Sequence, residues 1–120
     1  MREQLLLSVL SDLNSTSTDI SASAVISTDG LPIATLLPNH LNADRVVAMS
    51  STFLALGNRA VQELACGELD QVMVKGKSGY ILLSQAGSNA VLALLAKEGG
   101  KLGLILLDAK RAAKHIADIV

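Results

Sequence analysis

Apolar residues recur with a helical period from the start of the chain. Leu5, Leu6, Val9, Leu10 and Leu13 share one face, which predicts an amphipathic helix from about Arg2 to Asn14. The polar run from Asn14 to Asp19 breaks it. Ala22 to Ser27 then reads as a strand, Thr28-Asp29-Gly30 as a tight turn and Ile33 to Leu37 as a second strand. Pro32, which has no N–H to give a ladder, suits an edge position there. Asn42 is placed to cap a long helix from about Ala43 to Ala65, with Gly67 as its stop. Three apolar runs follow: Leu69 to Lys75, Tyr80 to Ser84 and Ala90 to Ala96. Short glycine-bearing links join them, so antiparallel hairpins are expected. After Glu98-Gly99-Gly100 a last helix runs from about Lys101 to Ile119. Its stripe is Leu102, Ile105, Leu106, Ala109, Ala113, Ile116, Ala117 and Val120.

The predicted order is α-β-β-α-β-β-β-α, an α/β chain of the α+β type in one domain of 120 residues. The strand from Ala90 to Ala96 is apolar at every position, so helices must cover both faces of the sheet, giving three layers. The long middle helix carries a surplus. Val46, Val47, Met49, Phe53, Leu54, Leu56, Ala60, Val61 and Leu64 span about half its circumference, where a helix on one sheet needs a stripe a little over ~100° wide. One part of that face is expected to meet the sheet and another a neighbouring molecule. The opposite face holds Ala48, Ser51, Thr52, Ala55, Asn58, Arg59 and Gln62, mostly small side chains that fit either the close approach of another protein or an ordinary solvated face.

Composition narrows the function classes. Half the residues are apolar but only Phe53 and Tyr80 are aromatic, so the core is aliphatic. A formal net charge of −1 gives no field for nucleic acid or anionic lipid. Lys110, Arg111 and Lys114 fit the last turns of a helix as a solvated face. The one cysteine, Cys66, excludes an internal disulfide framework, suggests a reducing, cytoplasmic setting and is expected to be at least half-buried. Leu5 to Leu10 is too short and too closely flanked by Glu3 and Asp12 for a secretion signal, and no apolar run is long enough to span a membrane.

Candidate chemistry is sparse. Gly76-Lys77-Ser78 resembles the end of a phosphate-binding loop, but Gln71 stands where that motif needs its first glycine, and the segment joins two strands. His40 and His115 have no ligand partner at metal spacing. No nucleophile–base set can be assembled, so no catalytic residue, cofactor or metal is expected. Glu63, Glu68 and Asp70 read as a solvated helix end and turn. Arg59 has two readings open: an i,i+4 pair with Glu63, or a reach toward a partner's phosphate or carboxylate.

Several strings, in order, resemble one family. Thr28-Asp29-Gly30-Leu31-Pro32-Ile33-Ala34 resembles its first hairpin, and Val74-Lys75-Gly76-Lys77-Ser78-Gly79-Tyr80 its second. Leu102-Gly103-Leu104 followed by Ala109-Lys110-Arg111-Ala112-Ala113 resembles its last helix. The family is the Roadblock family of dynein light chains and prokaryotic GTPase regulators, including MglB-type proteins. The resemblance implies a five-stranded antiparallel sheet with the middle helix on one face and the terminal helices on the other. It implies a homodimer in which the strand after the middle helix pairs with its copy while the middle helices lie side by side. On that basis the self-contact is expected at Gln71, Val72, Met73, Val74 and Lys75, and along the helix at Val47, Met49, Phe53, Leu54, Leu56, Gly57, Ala60 and Val61. In GTPase-regulating members the paired helices form a platform for a small Ras-like GTPase, which here implies Ser51, Thr52, Ala55, Arg59 and Gln62 as docking residues. A scaffold without effect on nucleotide turnover is the alternative. A small-molecule sensor is disfavoured by the shortage of aromatic and convergent polar groups.

Overall fold

A computed structural model describes residues 2–120. It contains three helices, α1 (Arg2–Thr16), α2 (Ala43–Glu63) and α3 (Leu102–Ile119). Five strands lie between them: β1 (Ile20–Ser27), β2 (Pro32–Leu36), β3 (Gln71–Lys75), β4 (Gly79–Ala86) and β5 (Ala90–Lys97). The order is the expected one. All strand pairs are antiparallel, in the spatial order β2-β1-β5-β4-β3. The hairpins explain three of the four pairings. The fourth, β1 on β5, joins the two halves of the chain at the sheet centre, from Ile20 opposite Ala96 to Ser27 opposite Ala90.

Side-chain alternation divides the sheet into two cores. Val25, Leu82, Leu92, Leu94 and Ala96 point to α1 and α3, where Leu6, Leu10, Leu13, Ile105, Ala109 and Ile116 meet them. Ala24, Ile26, Leu83, Val91 and Ala93 point the other way, to Val47, Phe53 and Leu54 of α2. The sheet is therefore the middle of three layers, and β5 is buried on both faces. Ser23, a polar residue in this core, donates from its hydroxyl to Asn14 Oδ1 at 2.9 Å, so its burial leaves no orphan donor.

Helix ends differ from the sequence reading for local reasons. α1 runs on to Thr16, whose hydroxyl donates back to the Asp12 carbonyl at 2.7 Å, so the polar run extends the helix instead of breaking it. Asn42 caps α2 as expected, its Oδ1 accepting from the Arg45 N–H at 3.1 Å. The other end is not closed by Gly67. Ala65 takes the left-handed conformation, with φ 57°. Its N–H bonds to the Gln62 carbonyl, while the Cys66 N–H reaches the Val61 carbonyl at 2.7 Å. These two bonds are the Schellman closure, made here without its usual glycine. The early stop turns Cys66 out into solvent, so the expected burial of this thiol is corrected.

Candidate interaction surface

α2 crosses its face of the sheet obliquely. In its first half it lies against the β1–β2 turn, where a Cβ on Gly30 would stand 3.2 Å from Ser51 Oγ. In its second half it lies on β3, where a Cβ on Gly57 would stand 2.8 Å from Val72 Cγ2. Glycine at 57 is thus what lets the helix backbone come down on that strand. The helix spends little of its apolar face on this contact: only Val47 and Ser50 are fully buried. Met49 is 48% exposed and Leu56 63%, and Leu64 is exposed as well. Met49, Phe53, Leu56 and Ala60, at i, i+4, i+7 and i+11, form one stripe along a single flank.

Below the first half of that flank lies an apolar groove of about 280 Å³. Met49, Phe53, Ile81 and Leu95 supply its greasy lining, and His40 and Arg45 stand at its rim. On the other flank a second groove, of about 480 Å³, lies between Asn58, Val61 and Gln62 of α2 and Gln85, Gly87 and Ser88 of the β4–β5 hairpin. There Gln85 donates from Nε2 to the Gly87 carbonyl at 3.2 Å, and its buried Oε1 has no partner among the described residues. Reading the sequence alone gave no sign of Gln85, because an alternating strand presents it as an ordinary polar position.

β3 is the free margin of the sheet beside this helix. It pairs with β4 alone. The Gln85 N–H bonds to the Asp70 carbonyl and the Gly76 N–H to the Gly79 carbonyl. Bonded pairs alternate in an antiparallel ladder, so Val72 and Val74 are bonded to β4 while Gln71, Met73 and Lys75 turn their N–H and C=O groups to the open side. Their side chains behave differently. Met73 is exposed on the α3 side, and Lys75 Nζ lies 5.7 Å from the centre of the Tyr80 ring.

The remaining sequence-predicted residues separate cleanly. Val47, Leu54 and Gly57 are committed to the contact of α2 with its own sheet, and Val61 is half-buried in the second groove. Thr52, Ala55, Arg59 and Gln62 are exposed on the outer face of α2, and Ser51 is half-buried against the β1–β2 turn. Arg59 Nε donates to Glu63 Oε1 at 2.9 Å, the local pair its spacing allowed, on a largely exposed surface. Asp70, read as solvated, is exposed, and its Oδ2 lies 3.5 Å from Lys110 Nζ of α3 in an ion pair open to solvent. Among the described residues no cluster of His, Cys, Asp or Glu is placed to hold a metal ion, and no helix is long and apolar enough to cross a membrane.

The Roadblock/LC7 domain model matches residues 6–96, which takes in most of α1, all of the sheet but its last residue, and the surface just described. The chain belongs to the Roadblock/LC7 family. Two proteins of Methanocaldococcus jannaschii are each 39% identical over 108 residues, covering 90% of this chain and 93% of the relative. Among solved structures, MglB of Thermus thermophilus superposes with a TM-score of 0.87 at 19% identity, over 99% of this chain and 90% of that one. Myxococcus xanthus MglB gives 0.88 at 15% identity, over 97% and 87%. A Roadblock/LC7 domain from Streptomyces avermitilis gives 0.85 at 24% identity, over 92% of each chain. At these identities the structural neighbours establish the Roadblock fold, in which the αββαβββα order and both helix layers agree with this chain.

Proposed function

We infer that this Roadblock/LC7 protein is a non-enzymatic, homodimeric regulator of a small Ras-like GTPase. The observation that carries the reading is the coincidence of an open β3 edge with an uncovered apolar flank on the helix above it. A short apolar strand with unpaired backbone groups invites another strand. Pairing β3 with its copy about Met73 continues the sheet, and brings each Met49–Phe53–Leu56–Ala60 flank toward the other. A two-fold axis lets both surfaces meet their own copies at once. The burial expected of such an obligate pair is on the order of 2,000 Å².

Thr52, Ala55, Arg59 and Gln62 of both copies then lie on one outer surface, with Ser51 at its margin. Small side chains there admit a flat partner surface. Regulation follows if this surface binds one conformation of the GTPase's mobile loops more tightly than another, which shifts their populations and thereby hydrolysis or exchange. It requires no residue of this chain in the chemical step. The family resemblance supports the partner class, and MglB, one of the structural neighbours, is described with a tetrameric arrangement.

The test mixes the protein with small Ras-like GTPases of the same organism and measures complex formation and nucleotide turnover. The expected result is a complex that changes turnover and is lost in Arg59→Glu and Ala55→Arg. A complex with unchanged turnover makes the protein a scaffold. A complex indifferent to both substitutions removes α2 as the platform.

A further inference from the structure

The groove between the second half of α2 and the β4–β5 hairpin carries charge of one sign. Val61 and Leu69 supply its apolar lining, and Asn58, Gln62 and Ser88 its neutral polar groups. Glu68 is the one charged side chain in the lining, exposed and without an ion pair among the described residues. Cations of the neighbouring elements are engaged elsewhere. Arg59 is held by Glu63, and Lys110 of α3 lies in its open pair with Asp70. α2 also ends beside the groove with no basic residue in its last turn, which leaves the negative end of its dipole uncompensated.

Gln85 adds an acceptor that lacks a donor. Its side chain is half-buried in the lining, and its one hydrogen bond, from Nε2 to the Gly87 carbonyl at 3.2 Å, is exposed. Oε1 is closed off from solvent and unpaired among the described residues. Buried acceptors in folded proteins are nearly always satisfied, because an orphan loses its water and gains nothing in return. Turning the Gln85 amide into the groove gives up one surface bond and releases the orphan, so the side chain loses little by meeting a donor there.

We propose that this groove binds an arginine side chain carried by another protein, its guanidinium on the Glu68 carboxylate and the Gln85 amide oxygen and its methylenes on Val61 and Leu69. The lone carboxylate, the helix end and the orphaned acceptor all favour a cationic donor. A guanidinium offers five N–H groups in a planar fork, enough for a carboxylate and an amide oxygen at once. It is also more weakly hydrated than an ammonium, which suits a groove with apolar lining. A divalent cation fits poorly, since one carboxylate among neutral amides falls short of its usual oxygen set. At about 480 Å³ the groove is larger than one side chain needs, leaving room for the backbone that carries it. It lies on the flank of α2 away from the Met49–Phe53–Leu56–Ala60 stripe. The inference therefore needs neither the self-contact nor the GTPase reading.

The test titrates the full chain, labelled with nitrogen-15, with Nα-acetyl-arginine amide and follows amide resonances by NMR. The citrulline analogue keeps the shape without the charge, and the lysine analogue keeps the charge without the fork. Saturable shifts in the millimolar range are expected at the Gln85 side-chain amide and the Glu68 and Ser88 backbone amides. Both analogues should bind at least about fivefold more weakly. Glu68→Gln and Gln85→Met should each weaken the arginine probe by about fivefold or more, while Glu98→Gln, at an exposed carboxylate between β5 and α3, leaves it unchanged. Glu68 is exposed, so an unchanged melting temperature is expected to verify folding of that variant. Equal binding of the arginine and citrulline probes, or indifference to both groove variants, overturns the proposal. Lysine binding as tightly as arginine reduces the site to a general charge effect and overturns it too. So does the absence of any shift at Gln85 with ~20 mM arginine probe, which leaves Oε1 to a buried water.

Discussion

Ala65 shows how one residue can carry the cost of a helix end. The left-handed conformation crowds a Cβ against the neighbouring carbonyl, and a chain accepts it outside glycine only where hydrogen bonds repay it. Here the Schellman pair from Ala65 and Cys66 to Gln62 and Val61 does so. Ala65→Gly should therefore stabilise the protein by about 1 kcal/mol, seen as a higher midpoint in urea with an unchanged slope. Gly57 presents the opposite case. An added methyl there gains up to ~1 kcal/mol of helix propensity, but its 2.8 Å approach to Val72 forces α2 off β3, for which overpacking costs of about 1–3 kcal/mol are typical. Gly57→Ala should come out destabilising, with a lower urea midpoint. Neither residue was legible in the sequence. Gly67 offered the expected stop two positions further on, and Gly57 gains its meaning only from a strand that follows it in the chain.

At the scale of elements the sequence was far more informative. Each of the eight has a periodicity or flanking turn chemistry in the sequence, and the observed ends lie within two residues of the expected ones. The width of the apolar face on α2 was also legible, and the structure separates it into a stripe used on the sheet and a flank left over. What periodicity could not give is the direction in which β3 presents its backbone, since that depends on which residues bond to β4. With Gln71, Met73 and Lys75 facing outward, proline at position 73 removes a donor from the open edge and none from the internal ladder. Met73→Pro should therefore halve the sedimenting mass of the proposed dimer and lower its melting temperature, without removing a bond of the β3–β4 ladder. A variant that stays dimeric would move the self-contact away from this strand.

For the whole molecule, hairpin logic correctly joins neighbours along the chain but says nothing about β1 lying against β5. That pairing is non-local, and only the family resemblance prepared for a single five-stranded sheet. The two unequal layers explain why self-association is expected. The α1–α3 side closes a full core of its own, whereas α2 covers its side in part and leaves Met49, Leu56 and the groove below exposed. If a copy supplies the missing cover, folding and association are coupled. The melting temperature should then rise with protein concentration across the micromolar range, and lose that dependence in Met73→Pro.

The seam between β1 and β5 has a consequence for how the chain leaves the ribosome. A growing polypeptide can make its first helix and hairpin early, yet Val25 and its neighbours find no central partner until residues 90–97 have emerged. At ~5–20 residues per second the interval lasts several seconds, during which a greasy ribbon stands open to any passing strand. Truncation anywhere before β5 should accordingly yield fragments that depend on chaperones, because the last strand synthesised is the one around which the rest is organised.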